Sequence, residues 1–558
     1  MASQPESFSP SSSWGGRLAA GLFLCAVVLR LLGIGWGLPN GLHNQSYHPD
    51  ELVIWSYAQQ IEPTKLKFDP GFYNYGTLYL TTLKIASSVV GAGQDATWAD
   101  IGRAHLAGRM VSAVLGAGTV LLVFLMLRRR TNLFGAALGA AALAVAPGHV
   151  VHSRFQTVDV MATFLLAAAL YFALELLVPE AERRLSNHRL VLLSGAMAGL
   201  SAGTKYTGIL ALFTLFTVLI LLRRDTALRE SGKGVLAAVV AFIIATPGAL
   251  LNTGKFLEDV RFEMLHTGSG HGLVFLGYPS GLVSHIVNLF IGLGALLTLL
   301  GAAGIAGAAW RRQPFAWALL AFALPYYLLI GRAEVLFLRY TFPLMVVLAL
   351  GLGCLLGWAH TRRGWALAWV ALGIVGLGGL DGGGAYGSAT MTAWMVGQDP
   401  RDAAAEELRA WAGKGEIASV GLPSDPWFYT PPLYADTGLP RSVPFEAREE
   451  ARKRATGPVV LQHIDPAKGT REDWDVRLLE DDKPDTVAFS SFEWNDVERL
   501  QGVKGLEAGV EAQVARAAAF RKVLAANYRL ERVYGYPTVP VHDLQYVRPT
   551  IWIWKRKS

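Results

Sequence analysis

Hydrophobic and polar positions alternate along this chain in long blocks. Apolar runs occupy approximately 17–38, 105–127, 133–150, 158–178, 189–204, 205–222, 234–251, 282–307, 314–331, 340–358 and 364–380, and short clusters of arginine lie between them. About 20 apolar residues suffice for a helix to cross a bilayer, so the pattern predicts about eleven membrane spans. The clusters Arg128–Arg130, Arg183-Arg184, Arg223-Arg224, Arg311-Arg312 and Arg362-Arg363 then fall on one side, which the excess of positive charge makes cytoplasmic. The N-terminus is placed inside and the C-terminus outside. If Tyr79 to Val90 also crossed, every later arginine cluster would move outside, so this run is read as a second surface or re-entrant helix.

Between the first two spans lies an outer loop, 39–104, whose most polar stretch is Tyr47-His48-Pro49-Asp50-Glu51. Pro49 suits the first position of a helix, and both carboxylates fall in its first turn, where free N–H groups favour negative charge. Ile54, Tyr57, Ala58 and Ile61 recur at helical spacing, which predicts a helix on the membrane surface. From about Gly384 the composition becomes that of a soluble domain. Asp399-Pro400-Arg401-Asp402 opens an amphipathic helix that stops near Gly413, and short apolar runs at 417–421, 459–461, 486–490 and 550–554 read as strands. The stretch Pro423–Pro432 reads as a loop. The expected architecture is a membrane domain, 1–383, followed by an extracytoplasmic α/β domain, 384–558.

Composition agrees: of 558 residues, 52% are hydrophobic and 17% charged, the balance of a polytopic membrane protein. The net charge of +7 comes from the inter-span clusters and does not indicate nucleic-acid binding. Cys25 and Cys354 both lie in apolar runs and offer neither a disulfide framework nor metal-ligand spacing. The Ser- and Pro-rich N-terminus up to Ser13 leads into a run that lacks a small-residue cleavage site. It is read as a retained span, with Arg30 as the buried partner of an acidic group.

The unusual residues collect in the outer loops: His48, Asp50 and Glu51; Ser153-Arg154 and Asp159; Lys205 and Tyr206; Glu258 to His271; and Arg332 to Arg339. Each has a purely structural reading. Asp50 and Glu51 could cap a helix, Arg154 and Asp159 could pair at a helix start, and Lys205 and Arg339 could anchor spans at the interface. His266 and His271 sit among glycines, without the spacing of a helical metal pair.

In order, Arg30, the His48-Pro49-Asp50-Glu51 loop, Ser153-Arg154 with Asp159, Gly199-Leu200-Ser201-Ala202-Gly203-Thr204-Lys205-Tyr206, Gly270-His271-Gly272 and Phe337-Leu338-Arg339-Tyr340-Thr341-Phe342-Pro343 resemble the GT-C glycosyltransferases. The likeness, over roughly 17–380, is to bacterial relatives of the dolichyl-phosphate-mannose protein mannosyltransferases (glycosyltransferase family 39) and to the aminoarabinose transferases of lipid A. It implies a polytopic helical fold in the bacterial cytoplasmic membrane. It also implies a polyprenyl-phosphate-linked donor sugar and inverting transfer, on the outer face, to a hydroxyl of a glycan, lipid or protein. On this reading Asp50 is the base, supported by Glu51, while His48, Arg154, Asp159, Lys205, His271 and Arg339 bind substrate. No cofactor is required, although a divalent cation at Asp50 and Glu51 stays open.

The main rival is a transporter or flippase of a lipid-linked sugar, which predicts repeated halves and charges at mid-membrane. No repeat is visible here, and the charges gather at one face. An oligosaccharyltransferase would carry a Trp-Trp-Asp segment in its soluble domain, a context that Trp427 and Trp494 lack. A non-catalytic scaffold leaves the acidic loop without a purpose.

Overall fold

The computed structural model describes residues 13–40, 43, 46–92, 97–222, 225–363, 371, 373, 375–376, 383–424, 427–433, 459–462, 464–465, 469–470, 472–535 and 541–557. The expected span at 364–380 falls almost wholly outside these residues, as do Arg223-Arg224 and the N-terminus before Ser13.

Each of the other ten expected spans coincides with helix. The helices are α1 (Ser13–Leu31), α2 (Pro49–Ala58), α3 (Leu78–Val89), α4 (Trp98–Leu127), α5 (Leu133–Ala144), α6 (Pro147–His152), α7 (Val158–Glu175), α8 (Asn187–Ala202), α9 (Leu212–Leu222) and α10 (Ala227–Ala245). They continue with α11 (Gly248–Leu251), α12 (Thr253–Ser269), α13 (Gly281–Gly292), α14 (Ala295–Trp310), α15 (Pro314–Gly331) and α16 (Phe342–Arg363). Five segments, 14–31, 99–127, 158–175, 314–331 and 338–362, are each long and apolar enough to cross a membrane. The rest are shorter or carry more charge.

Three expected spans are each split into two α-helices, and 234–251 divides between α10 and α11. The run 282–307 is two helices bent by 111°, at Gly294, whose φ of +125° few other residues adopt. The run 133–150 ends at Ala144 and restarts at Pro147, a residue suited to the first helical turn. Small residues set the closest helix contacts: a Cβ on Gly199 would lie 2.1 Å from the carbonyl oxygen of Ala238, so α8 and α10 touch backbone to backbone. Arg30 lies buried among Ala26 O, Ala144 O, Ser153 and the His149 ring, at 2.9–3.3 Å, and not against the acidic group that the sequence suggested.

Helix α17 (Gly384–Val396) packs into the helical body, where Ser388 donates to Val145 O and Met391 and Met395 are buried. Beyond it, α18 (Pro400–Gly413), β1 (Ser419–Leu422), β2 (Val459–Gln462), a small hairpin of β3 (Ile464–Asp465) and β4 (Gly469–Thr470), β5 (Thr486–Ser490), α19 (Ser491–Leu500), α20 (Ala508–Asn527), β6 (Tyr528–Tyr534), α21 (His542–Gln545) and β7 (Ile551–Arg556) form the expected α/β unit. Its sheet runs β2-β1-β5-β7-β6, with β1 parallel to β2 and β5 and with β7 antiparallel to β5 and β6. The four strands expected from the sequence correspond to β1, β2, β5 and β7.

One buried arginine joins this unit to the segment that leads into α2. Arg401 binds Asp399 and the carbonyls of Phe428 and Tyr546, and its guanidinium stacks 3.7 Å above the Tyr47 ring. Trp36 donates to Asp399 at 3.0 Å, and Tyr47 donates to Asp402. The α/β unit therefore packs directly against the segment that leads into α2.

Candidate active site

Span-to-loop junctions deliver the charges to one place. Pro49 starts α2 after His48, in an extended conformation, and so sets Asp50 and Glu51 in the first turn. Asp159 occupies the first turn of α7, and Lys205 is an extended residue between α8 and the 3₁₀ turn Tyr206–Ala211. Arg339 lies in the turn Leu338–Thr341 that feeds α16.

Arg339 is the hub. Its guanidinium lies 3.3 Å from Asp50, 3.6 Å from Asp159 and 3.5 Å from Asp543, and it stacks 3.7 Å above Phe337. Lys205 binds the other oxygen of Asp159 at 2.6 Å and lies 4.0 Å above the Tyr340 ring. Asp159 and Arg339 are under a tenth exposed, whereas Asp50 keeps 32% of its side chain open. A small, partly open pocket lies beside them, lined by Asp159, Thr163, Ser201, Lys205, Tyr326 and Arg339 among others. Three carboxylates against two cations make an ionic cluster at the edge of a low-dielectric body, where such charges interact strongly. An anion near Lys205 and Arg339, beside a partly open carboxylate, is the chemistry this arrangement suits.

Glu51 lies apart from this group. Its carboxylate is fully buried and grips Arg109 of α4 through two hydrogen bonds, at 2.8 and 2.7 Å, while also accepting from Ser46 and from the Gln156 backbone N–H at 2.8 Å. Burial opposes its ionisation, yet the Arg109 guanidinium outweighs burial and holds the carboxyl down at about 2. Arg109 also donates to Ile34 O and Trp36 O at 2.7 and 2.6 Å, which ties α2, α4 and the turn that follows α1 into one unit.

The remaining expected residues divide. The His48 ring is buried between Phe155 and Tyr546, with neither nitrogen hydrogen-bonded, and burial lowers its pKa. His271 is exposed, contacts His266 at 3.2 Å and faces Phe337, which puts it at the rim. Arg154 is not brought to the cluster: it binds Leu29 O, Thr392 and the sulfur of Met395, at 2.6–3.0 Å, and so fastens α17 to α1. Among the described residues no group of three or more His, Cys, Asp or Glu is arranged to hold a metal ion. The carboxylates at Asp50 and Glu51 diverge, one to Arg339 and the other to Arg109.

Sequence reasoning missed Arg109 and Asp543. Arg109 stands inside an apolar span, a signal that ionisable residues there need a buried partner. Asp543 lies in a stretch of mixed polar and apolar residues with nothing local to mark it, and it becomes visible only when α21 docks on Arg339.

Residues 97–250 match the family model of the dolichyl-phosphate-mannose-protein mannosyltransferases. That segment contains Ser153-Arg154, Asp159 and the Gly199–Tyr206 run, so the resemblance read from these motifs holds over it. No curated protein sequence matches the chain. Similar solved structures include ArnT from Cupriavidus metallidurans bound to undecaprenyl phosphate (15% identity, TM-score 0.49, 97% of this chain and 98% of that one). A second is the Archaeoglobus fulgidus oligosaccharyltransferase tethered to an acceptor peptide (17% identity, TM-score 0.49, 95% and 74%). A third is the S. cerevisiae protein O-mannosyltransferase complex bound to the sugar donor (21% identity, TM-score 0.32, 46% and 34%).

Proposed function

We propose that this chain is an integral membrane glycosyltransferase that moves a sugar from a polyprenyl-phosphate carrier to an acceptor hydroxyl, with inversion at the anomeric carbon. The observation that carries this reading is the Arg339 hub, which couples a partly open carboxylate, Asp50, to the Asp159–Lys205 pair at the mouth of a pocket. Asp50 takes the proton of the acceptor hydroxyl as its oxygen attacks the anomeric carbon. The bond from that carbon to the phosphate oxygen breaks, and its electron pair leaves with the carrier phosphate. The phosphate thereby gains a negative charge, which Lys205 and Arg339 stabilise. Asp159 orients both cations, His48 and His271 border the site, and Glu51 and Arg154 position the elements around it. The apolar surfaces of the spans suit the prenyl chain.

The inter-span arginine clusters support an internal N-terminus, a helical domain to 383 and an extracytoplasmic domain from 384, and the family resemblance implies the bacterial cytoplasmic membrane. Incubation of the purified protein in lipid with a panel of polyprenyl-phosphate sugars tests the proposal. One donor is expected to be consumed by wild type and spared by Lys205→Ala. Movement of a labelled lipid across the bilayer without turnover of any donor would replace this reading with that of a flippase.

A further inference from the structure

The carboxylate of Asp543 has no task in this scheme, yet it is the soluble domain's ionised contribution to the site. It is fully buried. Its Oδ2 accepts the backbone N–H of Arg339 at 3.2 Å and lies 3.5 Å from both Arg339 Nη1 and His152 Nε2. Its Oδ1 makes no hydrogen bond, and neither do Arg339 Nη1 nor either ring nitrogen of His152. A buried ionised group left this incomplete is costly. Asp50, Asp159 and Asp543 already outnumber Arg339 and Lys205, so an incoming phosphodiester adds a further negative charge to a site in surplus.

We propose that Asp543 is a placeholder anion: it holds the Arg339 guanidinium while the site is empty and takes up a proton as the donor phosphate arrives beside Arg339. This inference rests on the donor assignment above. Asp50 is partly exposed and must stay ionised to act as base, and Asp159 has Lys205 to itself at 2.6 Å. Asp543 has only a shared arginine, and the proton has a ready seat on the unpartnered Oδ1. The groups that face it are Arg339, His152 and Asp159 from the helical body, Asp50 and His48 from α2 and its approach, and His542 and Tyr546 on its own segment. Burial raises Asp543 to about 6, against the pull of Arg339, while burial drives His542 down to about 3. Between pH 5 and 7, therefore, Asp543 changes charge and His542 does not. The donor phosphodiester does not titrate in this range.

The test is the donor KM, separated from kcat, across pH 5 to 7. Wild type is expected to show a donor KM that rises about tenfold over this range, as the proton to be taken up becomes scarcer. Asp543→Asn, which carries the neutral form permanently, is expected to show a flat KM near the low-pH wild-type value. An equal slope in both proteins, or a flat profile in wild type, overturns the proposal. Where Asp543→Asn does not fold, titration calorimetry of wild type with a non-transferable polyprenyl phosphodiester, in two buffers of different ionisation enthalpy, decides instead. Proton uptake on binding near pH 7 supports the placeholder, and none overturns it. If wild type neither binds that diester nor consumes any polyprenyl-phosphate sugar, the donor assignment fails and this inference falls with it.

Discussion

Removing Arg109 strands a carboxylate in the interior. Glu51 and Arg109 are both fully buried and are joined by two hydrogen bonds of 2.7–2.8 Å. Breaking such a pair by deleting one partner costs about 3–5 kcal/mol. The descent of the Glu51 carboxyl from 4.5 to about 2 corresponds independently to about 3 kcal/mol of preference for the charged form. Unfolding of the detergent-solubilised protein by SDS, on wild type, Glu51→Gln, Arg109→Met and the double variant, measures the coupling. At pH 7 the double variant is expected to fall short of the summed single losses by about 3 kcal/mol. Because the folded value lies below the unfolded one, this stability is complete above about pH 4.5 and is lost as the pH falls towards 2. At about pH 3, less than half of it remains. Additive losses at pH 7, or a coupling that grows on acidification, would refute the reasoning.

Arg339→Lys keeps the charge but loses the planar fork that reaches three carboxylates; transfer is expected to fall about 10²-fold in kcat/KM, as measured with the preferred donor. Arg154→Met removes contacts to α1 and α17, so it is expected to lower the thermal midpoint in detergent while moving donor KM less than Lys205→Ala does. Arg401→Met withdraws the guanidinium that ties Tyr47 to Asp399, Phe428 and Tyr546, so proteolysis near the α17–α18 junction is expected to accelerate, as read by fragment gels.

The helices were legible because a helix in lipid must satisfy its backbone internally and present long apolar runs, although among the described residues only five segments are long and apolar enough to cross on their own. The bend at Gly294 was not, because the apolar run passes through it unbroken. Pro49, Asp50 and Glu51 announce the start of α2, but their adjacency in sequence conceals that they diverge. On a helix, consecutive residues point in different directions, so Asp50 meets Arg339 while Glu51 turns inward to Arg109. Asp159, Lys205 and Arg339 were readable as charges at span ends. Arg154 has the same appearance and a different destination, set by the packing of α17, which no local pattern encodes. Asp543 joins the cluster from more than 200 residues beyond Arg339, through a docking that depends on Arg401, Tyr47 and Trp36 meeting across the two units.

The most direct measurement of the central claim is transfer by Asp50→Asn, with the preferred donor and acceptor, beside wild type and in protein of equal thermal stability. Asn keeps the size of the side chain but cannot accept the hydroxyl proton. Loss of general-base catalysis costs about 10²–10⁴-fold, so kcat is expected to fall by that factor while donor binding persists. Transfer by Asp50→Asn at the wild-type rate would contradict the account.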